Sequence, residues 1–227
     1  MISVFLFLHS SFFNIEKISI TGLETVTEDE VLALSGLSTG INIFELDKEL
    51  LGKAIKIHPM VKNTTITRHL PGEIEVEVEE RQIWALVPYD DLVLCIDDEG
   101  FCIDKKRNFF MEKYLIITMD NLPERINLGQ LVEAEGINAI KSVWDEMDAK
   151  AREQISNFHY ISGDKEILIY TREGTEVRFG KAERIQEKVN FLGQIFEIEK
   201  DLQEEGTDAL EYVDMRFKGQ PVVKTRA

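Results

Sequence analysis

From residue 14 onward the apolar positions change period several times, and each change marks an element. In "IEKISITG", Ile15, Ile18 and Ile20 precede Gly22, the pattern of a short strand. "TVTEDEVLALSG" opens on Thr27 with Glu30 three residues on. That is a capping box, in which each side chain satisfies an orphan backbone N–H, and Gly36 closes the helix. "DKELLGKAIKIHP" predicts a second helix capped by Asp47, with Leu50, Leu51, Ala54 and Ile57 as its buried stripe. Pro59 forbids continuation. In "MVKNTTITRHLPGEIEVEVEERQI" the period falls to two. Val61, Thr64, Ile66 and Arg68 lead to a Leu70-Pro71-Gly72 turn, after which Ile74, Val76 and Val78 alternate with Glu73, Glu75, Glu77 and Glu79. This predicts a hairpin with one apolar and one acidic face, suited to a small sheet with helices on one side.

Beyond Arg81 the elements become short strands, near Trp84–Pro88, Leu92–Ile96, Phe101–Asp104 and Tyr114–Thr118. A helix is predicted over Glu135–Lys150, with Ile137, Ile140, Trp144 and Met147 on one face. "ISNFHYIS", "KEILIYTRE" and "TEVRFG" read as three strands joined at Gly163-Asp164 and Glu173-Gly174 turns. The longest helix spans Ala182–Gln203, with Ile185, Val189, Leu192 and Phe196 along its spine and Gly206 as its breaker. In the closing "EYVDMRFKGQPVVKTRA", Val213, Met215 and Phe217 alternate with Tyr212, Asp214, Arg216 and Lys218. That is a strand with one buried face, followed by a short "PVVK" stretch. The expected fold class is α+β: a β-α-α-β-β domain followed by a mixed sheet with two flanking helices.

Composition narrows the function. The 26 Lys and Arg against 42 Asp and Glu leave a net charge of −16. Nucleic-acid binding needs a basic face, and so does lying flat on anionic lipid, so both are disfavoured. The opening "MISVFLFLHSSFF" is predominantly apolar over its first eight residues and lacks Lys and Arg. A spanning helix needs about 20 apolar residues. The segment therefore reads as the outer end of a transmembrane helix that begins before it, as a short uncleaved anchor, or as a buried strand.

Cys95 and Cys102 flank a hairpin turning at Asp97-Asp98-Glu99-Gly100. A two-residue loop would set Cys95 opposite Cys102; a three-residue loop ending on a Gly100 bulge would set Cys95 opposite Ile103. Two free, partly buried thiols are the simpler expectation, and a cross-strand disulfide would require an oxidising compartment.

Catalytic signatures are absent from the sequence. "GLSTGINIF" has glycines but no P-loop Lys, and neither a Gly-x-Ser-x-Gly nor a His-Glu-x-x-His occurs. His9, His58, His69 and His159 are scattered, without metal-ligand spacing. Asp97-Asp98-Glu99 lacks the further ligands of a calcium loop and fits a turn better. The glutamates of "EIEVEVEE" share one outward strand face, which suits solvent rather than acid–base work. No cofactor, metal, small-molecule substrate or enzymatic activity is expected.

The order of these pieces resembles the FtsQ/DivIB family of bacterial cell division proteins. The resemblance rests on Phe12-Phe13 before the first strand, Gly22 after it, Gly40 with Asn42 and Phe44, and His58-Pro59-x-Val61. It rests further on Arg68-x-Leu70-Pro71, Val78-Glu79-Glu80-Arg81 with Ala85, the Asp-x-Gly turn in "CIDDEGFCID", Lys188, and "YVDMRFKGQPVV". Met60 stands where the family often has Trp, and "YLIITMDNLP" departs from its usual segment before the central helix. The resemblance implies the end of an N-terminal transmembrane segment at 1–13, a POTRA domain at 14–82, a β-domain at 83–219 and a short tail at 220–227. Gly22, Pro59, Val61, Pro71 and Arg81 would be structural positions of the POTRA domain.

The same resemblance implies a single-pass protein of the bacterial cell membrane at the septum, with its bulk outside. Its role would be a non-enzymatic scaffold joining FtsB/DivIC-like and FtsL-like partners, and through them an FtsW/FtsI-like synthase of septal peptidoglycan. The closing strand would carry the partner site, mapped onto Tyr212, Arg216, Phe217, Lys218, Gly219, Pro221 and Val222. The alternation by itself allows Phe217 to point inward with Val213 and Met215, so core and interface roles both stay open for it. Another exported POTRA-bearing binding or assembly module is the alternative class, and a hydrolase with a dispersed site is a third.

Overall fold

The computed structural model describes residues 2–107, 113–205 and 210–225. The chain is α+β and divides into two units, Met1–Gln82 and Ile83–Ala227.

The first unit runs α1 (Ile2–Leu8), a short 3-10 turn (Ser11–Phe13), β1 (Lys17–Thr21), α2 (Glu28–Ser35), α3 (Lys48–Ile55), β2 (Val61–His69) and β3 (Glu73–Glu80). Its sheet has the order β1-β3-β2, with β1 parallel and β2 antiparallel to the central β3. Ile74, Val76 and Val78 of β3 face a core shared with Val31 of α2 and with Leu51 and Ile55 of α3. The Thr27–Glu30 capping box and the left-handed Gly36 cap bound α2 as its sequence dictates. Asp47 caps α3 by accepting the N–H groups of Glu49 and Leu50.

The stripe read for α3 is corrected. Leu50 and Ile57 are 63 % and 73 % exposed, and the buried pair is Leu51 and Ile55. These lie four residues apart, on one line down the helix, whereas Leu50 is about 100° round the barrel from Leu51. Ile57 falls past the helix end at Ile55.

Gly22 follows β1 with φ +81°, and a Cβ there would run into the Val78 carbonyl oxygen. Pro59 lies in the turn between α3 and β2, Val61 is buried at the start of β2, and Pro71 lies in the β2–β3 turn. The backbone N–H of Arg81 donates to the Met60 carbonyl at 2.7 Å. The outward face read for the glutamates of "EIEVEVEE" is corrected at Glu80, which continues the inward set of β3, and its buried carboxylate accepts the backbone N–H groups of Glu24 (2.8 Å), Thr25 (3.0 Å) and Val26 (2.9 Å). It thereby ties the segment that leads into α2 to the end of β3.

The second unit runs β4 (Ala85–Tyr89), β5 (Leu92–Ile96), β6 (Cys102–Lys106), β7 (Leu115–Met119), α4 (Ala134–Glu146), α5 (Ala149–Glu153) and β8 (Ile155–Ile161). It continues with β9 (Glu166–Thr171), β10 (Glu176–Gly180), α6 (Ile185–Glu205), β11 (Leu210–Asp214) and β12 (Val222–Thr225). One nine-stranded sheet has the order β12-β11-β10-β9-β8-β7-β4-β5-β6. Ile137, Ile140 and Val143 of α4, with Leu192 and Ile195 of α6, join the core built on the strands. Inside α6, the Lys188 ammonium donates to the carbonyls of Phe179 (2.6 Å) and Lys181 (2.9 Å), and burial pushes its pKa down. Glu199 is buried too, and accepts the hydroxyls of Thr171 and Thr175.

Two further readings are corrected. The helix expected over Glu135–Lys150 is two helices. Met147 is extended (φ −79°, ψ 140°), and Asp148 then caps α5 by accepting the Ala151 N–H at 2.7 Å. The break lets Met147 stay buried while the chain turns toward β8. In the β5–β6 hairpin, Cys95 faces Asp104 and Ile96 faces Cys102, with one extra residue on β6 between them. Neither register read from the loop length occurs. The Asp97 carboxylate accepts the N–H groups of Glu99 and Phe101, which sets the loop, and the Cys102 N–H is drawn to the Gln130 carbonyl at 2.8 Å. Cys102 packs in the core with Ile96, and Cys95, the strand neighbour of Ile96, points to the other side of the sheet. Both thiols are free and buried. The breaker expected at Gly206 lies outside the described residues.

Candidate partner-binding edge

The end of the nine-stranded sheet is built by residues 210–225. Leu210 and Val213 anchor β11 in the core, and Met215 is buried just after it. The strand nevertheless stops at Asp214. The Asp214 carboxylate accepts the Arg216 backbone N–H at 3.0 Å and grips its guanidinium through Nε at 3.0 Å and Nη2 at 2.7 Å. A side chain holding the residue two positions on is a local turn, and it ends the alternation. The guanidinium beside it holds the Asp214 pKa down, and the carboxylate raises that of Arg216 in return. Gly180 makes room, because a Cβ there would meet the Arg216 Cγ at 2.8 Å.

Phe217 therefore does not enter the core. It lies in the turn, 71 % exposed, with its carbonyl accepting Arg184 Nη2 at 3.0 Å. Lys218 is exposed beside it, Gly219 takes φ +108°, and Pro221 is half-buried at the start of β12. Every residue of β12 is exposed, including Val222 and Val223. This strand pairs with β11 through Tyr212↔Lys224, Val213↔Val223 and Asp214↔Val222, and it is the outermost of the sheet. Tyr212 sits between two cations, with Arg178 at 4.1 Å and Lys224 at 5.7 Å from its ring. Lys224 pairs with Glu211 at 2.7 Å, which raises its pKa.

All seven positions mapped from the sequence thus lie at one end of one sheet. The mapping omits Arg178, Arg184 and Val223. The alternation of "TEVRFG" puts Arg178 on the face opposite Val177 and Phe179, a usable signal. Arg184 reaches the turn only through the fold.

Comparison with known proteins bears on both units. The FtsQ-type POTRA domain family matches residues 13–81, and the C-terminal domain family of cell division protein FtsQ/DivIB matches residues 85–216. The chain belongs to the FtsQ/DivIB family. It is 24 % identical over 224 residues to the cell division protein DivIB of Clostridium botulinum, covering 97 % of this chain and 85 % of that one. It is 24 % identical over 218 residues to the cell division protein FtsQ of Geotalea daltonii, covering 95 % and 77 %. A solved structure, the major extracytoplasmic domain of DivIB from Geobacillus stearothermophilus, is 14 % identical with a TM-score of 0.35, over 56 % of this chain and 97 % of that one. The FtsQ/DivIB relatives are cell division proteins rather than known enzymes.

Proposed function

We propose that this FtsQ/DivIB chain is a non-catalytic scaffold of the division machinery that receives an extended partner segment on β12. The observation carrying this reading is a wholly exposed strand at the open end of a large sheet, flanked by an exposed Phe217. An unpaired edge offers its main-chain N–H and C=O groups to a strand from another protein, and neighbouring side chains supply selectivity. Phe217 is the apolar anchor, with Tyr212, Arg216, Lys218, Gly219, Pro221 and Val222 forming the surface around it. The partners are FtsB/DivIC-like and FtsL-like proteins, which connect the scaffold to an FtsW/FtsI-like synthase.

The bulk of the chain lies outside the cell membrane, with a POTRA domain at 14–82, a β-domain at 83–219 and residues 220–227 after it. Residues 1–13 end a membrane anchor, supported by the exposure of Phe5, Leu6 and Phe7 on α1. Among the described residues no helix is long and apolar enough to cross a membrane.

The test is binding of the chain to the extracytoplasmic segments of FtsB/DivIC-like and FtsL-like proteins from the same organism. Phe217→Glu should abolish binding and leave melting unchanged. Val222→Pro and Val223→Pro sharpen the result. Neighbouring residues of an antiparallel strand point their N–H groups alternately to the partner strand and outward. One proline therefore removes an outward donor and blocks binding alone, while the other loosens β12 itself. Retention of binding by all three variants would move the site elsewhere.

A further inference from the structure

A second surface of different character lies within the second unit. The neighbouring strands β4, β7 and β8 are mutually parallel, so their N-terminal ends share one rim of the sheet. Beyond that rim is a cleft of about 640 Å³ lined by Trp84 and Trp144, by Lys113, Arg152 and Arg172, and by Glu153. Among the described residues that line it, three cations stand against one carboxylate, a surplus of two positive charges in a chain whose net charge is −16.

Its two arginines are held by backbone carbonyls rather than by carboxylates among the described residues. The Arg152 guanidinium lies 5.2 Å from the Trp144 ring, and its Nε donates to the Trp144 carbonyl at 3.0 Å. Its Nη2 reaches the Asp145 carbonyl at 3.4 Å. Arg172 spends its Nε on the Glu153 carbonyl at 2.6 Å. Among the described residues no carboxylate oxygen comes within 4.0 Å of the charged nitrogens of Lys113, Arg152 or Arg172. Backbone carbonyls thus fix both guanidinium planes and leave outer N–H groups unspent, an arrangement suited to gripping a carboxylate. The indole rings beside them offer flat apolar surface. The volume falls in the range of about 300–1,000 Å³ typical of ligand sites.

We propose that this cleft docks an acidic segment of a partner protein. An apolar side chain of that segment lies on Trp84 and Trp144, and neighbouring carboxylates pair with Arg152, Arg172 and Lys113. The site is separate from the β12 edge. In the sheet order β12 and β8 are four strand spacings apart, roughly 19 Å at about 4.8 Å each.

The chain has only two tryptophans, and both line the cleft, so intrinsic fluorescence reports on it directly. The full chain is titrated with a short acetylated peptide alternating glutamate and leucine, with its lysine–leucine counterpart, and with free glutamate. A saturable change with the first alone is expected, weakening as salt rises. Arg152→Gln/Arg172→Gln should weaken that binding at least tenfold, and Arg172→Gln, at an exposed position, should weaken it by itself if the double variant fails to fold. Neither change should alter binding at the β12 edge. No saturable change with the acidic peptide, equal affinity for the lysine peptide, equal affinity for free glutamate, or unchanged affinity in the folded variants would each overturn the proposal.

Discussion

Replacing Glu80 by alanine should remove much of the first unit's stability, although Glu80 is one of five glutamates in "EIEVEVEE". Its carboxylate receives three backbone N–H groups, of which only that of Val26 belongs to a buried residue. Orphaning the Val26 donor costs about 1–3 kcal/mol, and returning those of Glu24 and Thr25 to water costs about 1 kcal/mol each. The loss is therefore about 3–5 kcal/mol. A unit of this length has a stability of about 4–12 kcal/mol, at about 0.05–0.15 kcal/mol per residue. Urea unfolding followed by circular dichroism, beside Glu79→Ala, measures the difference. Glu79 is exposed on the outer face of β3, and its loss should stay within about 0.5 kcal/mol.

The pH dependence checks the same reasoning. Burial raises the Glu80 carboxyl, but the N–H groups of Glu24, Val26 and Thr25 outweigh it and hold the folded pKa below the ordinary value. A depressed folded pKa gives a stabilisation that is complete above the unfolded value of about 4.3 and fades as pH falls through the folded one. Glu80→Gln should flatten that acid limb of the stability profile. Equal losses for Glu79→Ala and Glu80→Ala, or an unchanged acid limb in Glu80→Gln, would refute the assignment of Glu80 as the clasp.

Gly193 lies within α6, where an added Cβ would meet nothing within 4 Å, so Gly193→Ala should raise stability by about 1 kcal/mol in thermal unfolding. Gly22→Ala should do the opposite, by more than about 1 kcal/mol, because φ is positive and the Val78 oxygen occupies the space. Burial pushes the Cys102 thiol up to about 11 and raises that of Cys95. Both should resist a maleimide in the native protein and react fully in denaturant, and added reductant should leave the melting curve unchanged. Phe217→Ala should leave the melting temperature within about 2 °C, as a surface change does, whereas Met215→Ala at the buried neighbour should cost about 2–5 kcal/mol.

The small first domain is legible in the sequence because its signals are local: a capping box, a helix-ending glycine, a proline turn and a strict period of two. Glu80 escapes that reading, which puts the glutamates of "EIEVEVEE" on one outward face, because its burial depends on the backbone N–H groups of residues 24–26, which the strand period does not show. The terminal strand misleads where a local bond overrides the period. Nothing in the alternation of Val213, Met215 and Phe217 shows that Asp214 will hold Arg216 and turn the chain. The break at Met147 hides for a similar reason, because Asp148 acts as a cap only if the helix has already stopped. The cleft is invisible in the sequence. Trp84, Lys113, Trp144, Arg152 and Arg172 come from separate stretches of chain, and only the parallel run of β4, β7 and β8 places them on one rim.

The order β1-β3-β2 also fixes an order of events. β2 and β3 are joined by a tight turn and can zip as a local hairpin, on the scale of microseconds. β1 has no neighbour until β3 exists, because Lys17 pairs with Glu73 and Thr21 with Glu77 across most of the unit. Long-range parallel pairing closes a large loop before it gains a contact, which makes it slow. The strand that follows the apolar N-terminal segment is therefore the last to join this sheet. β2 is an edge strand too, but a tight turn ties it to β3, whereas β1 is held to β3 only by long-range parallel pairing and is the first to peel, so its amides should exchange with solvent ahead of those of the hairpin.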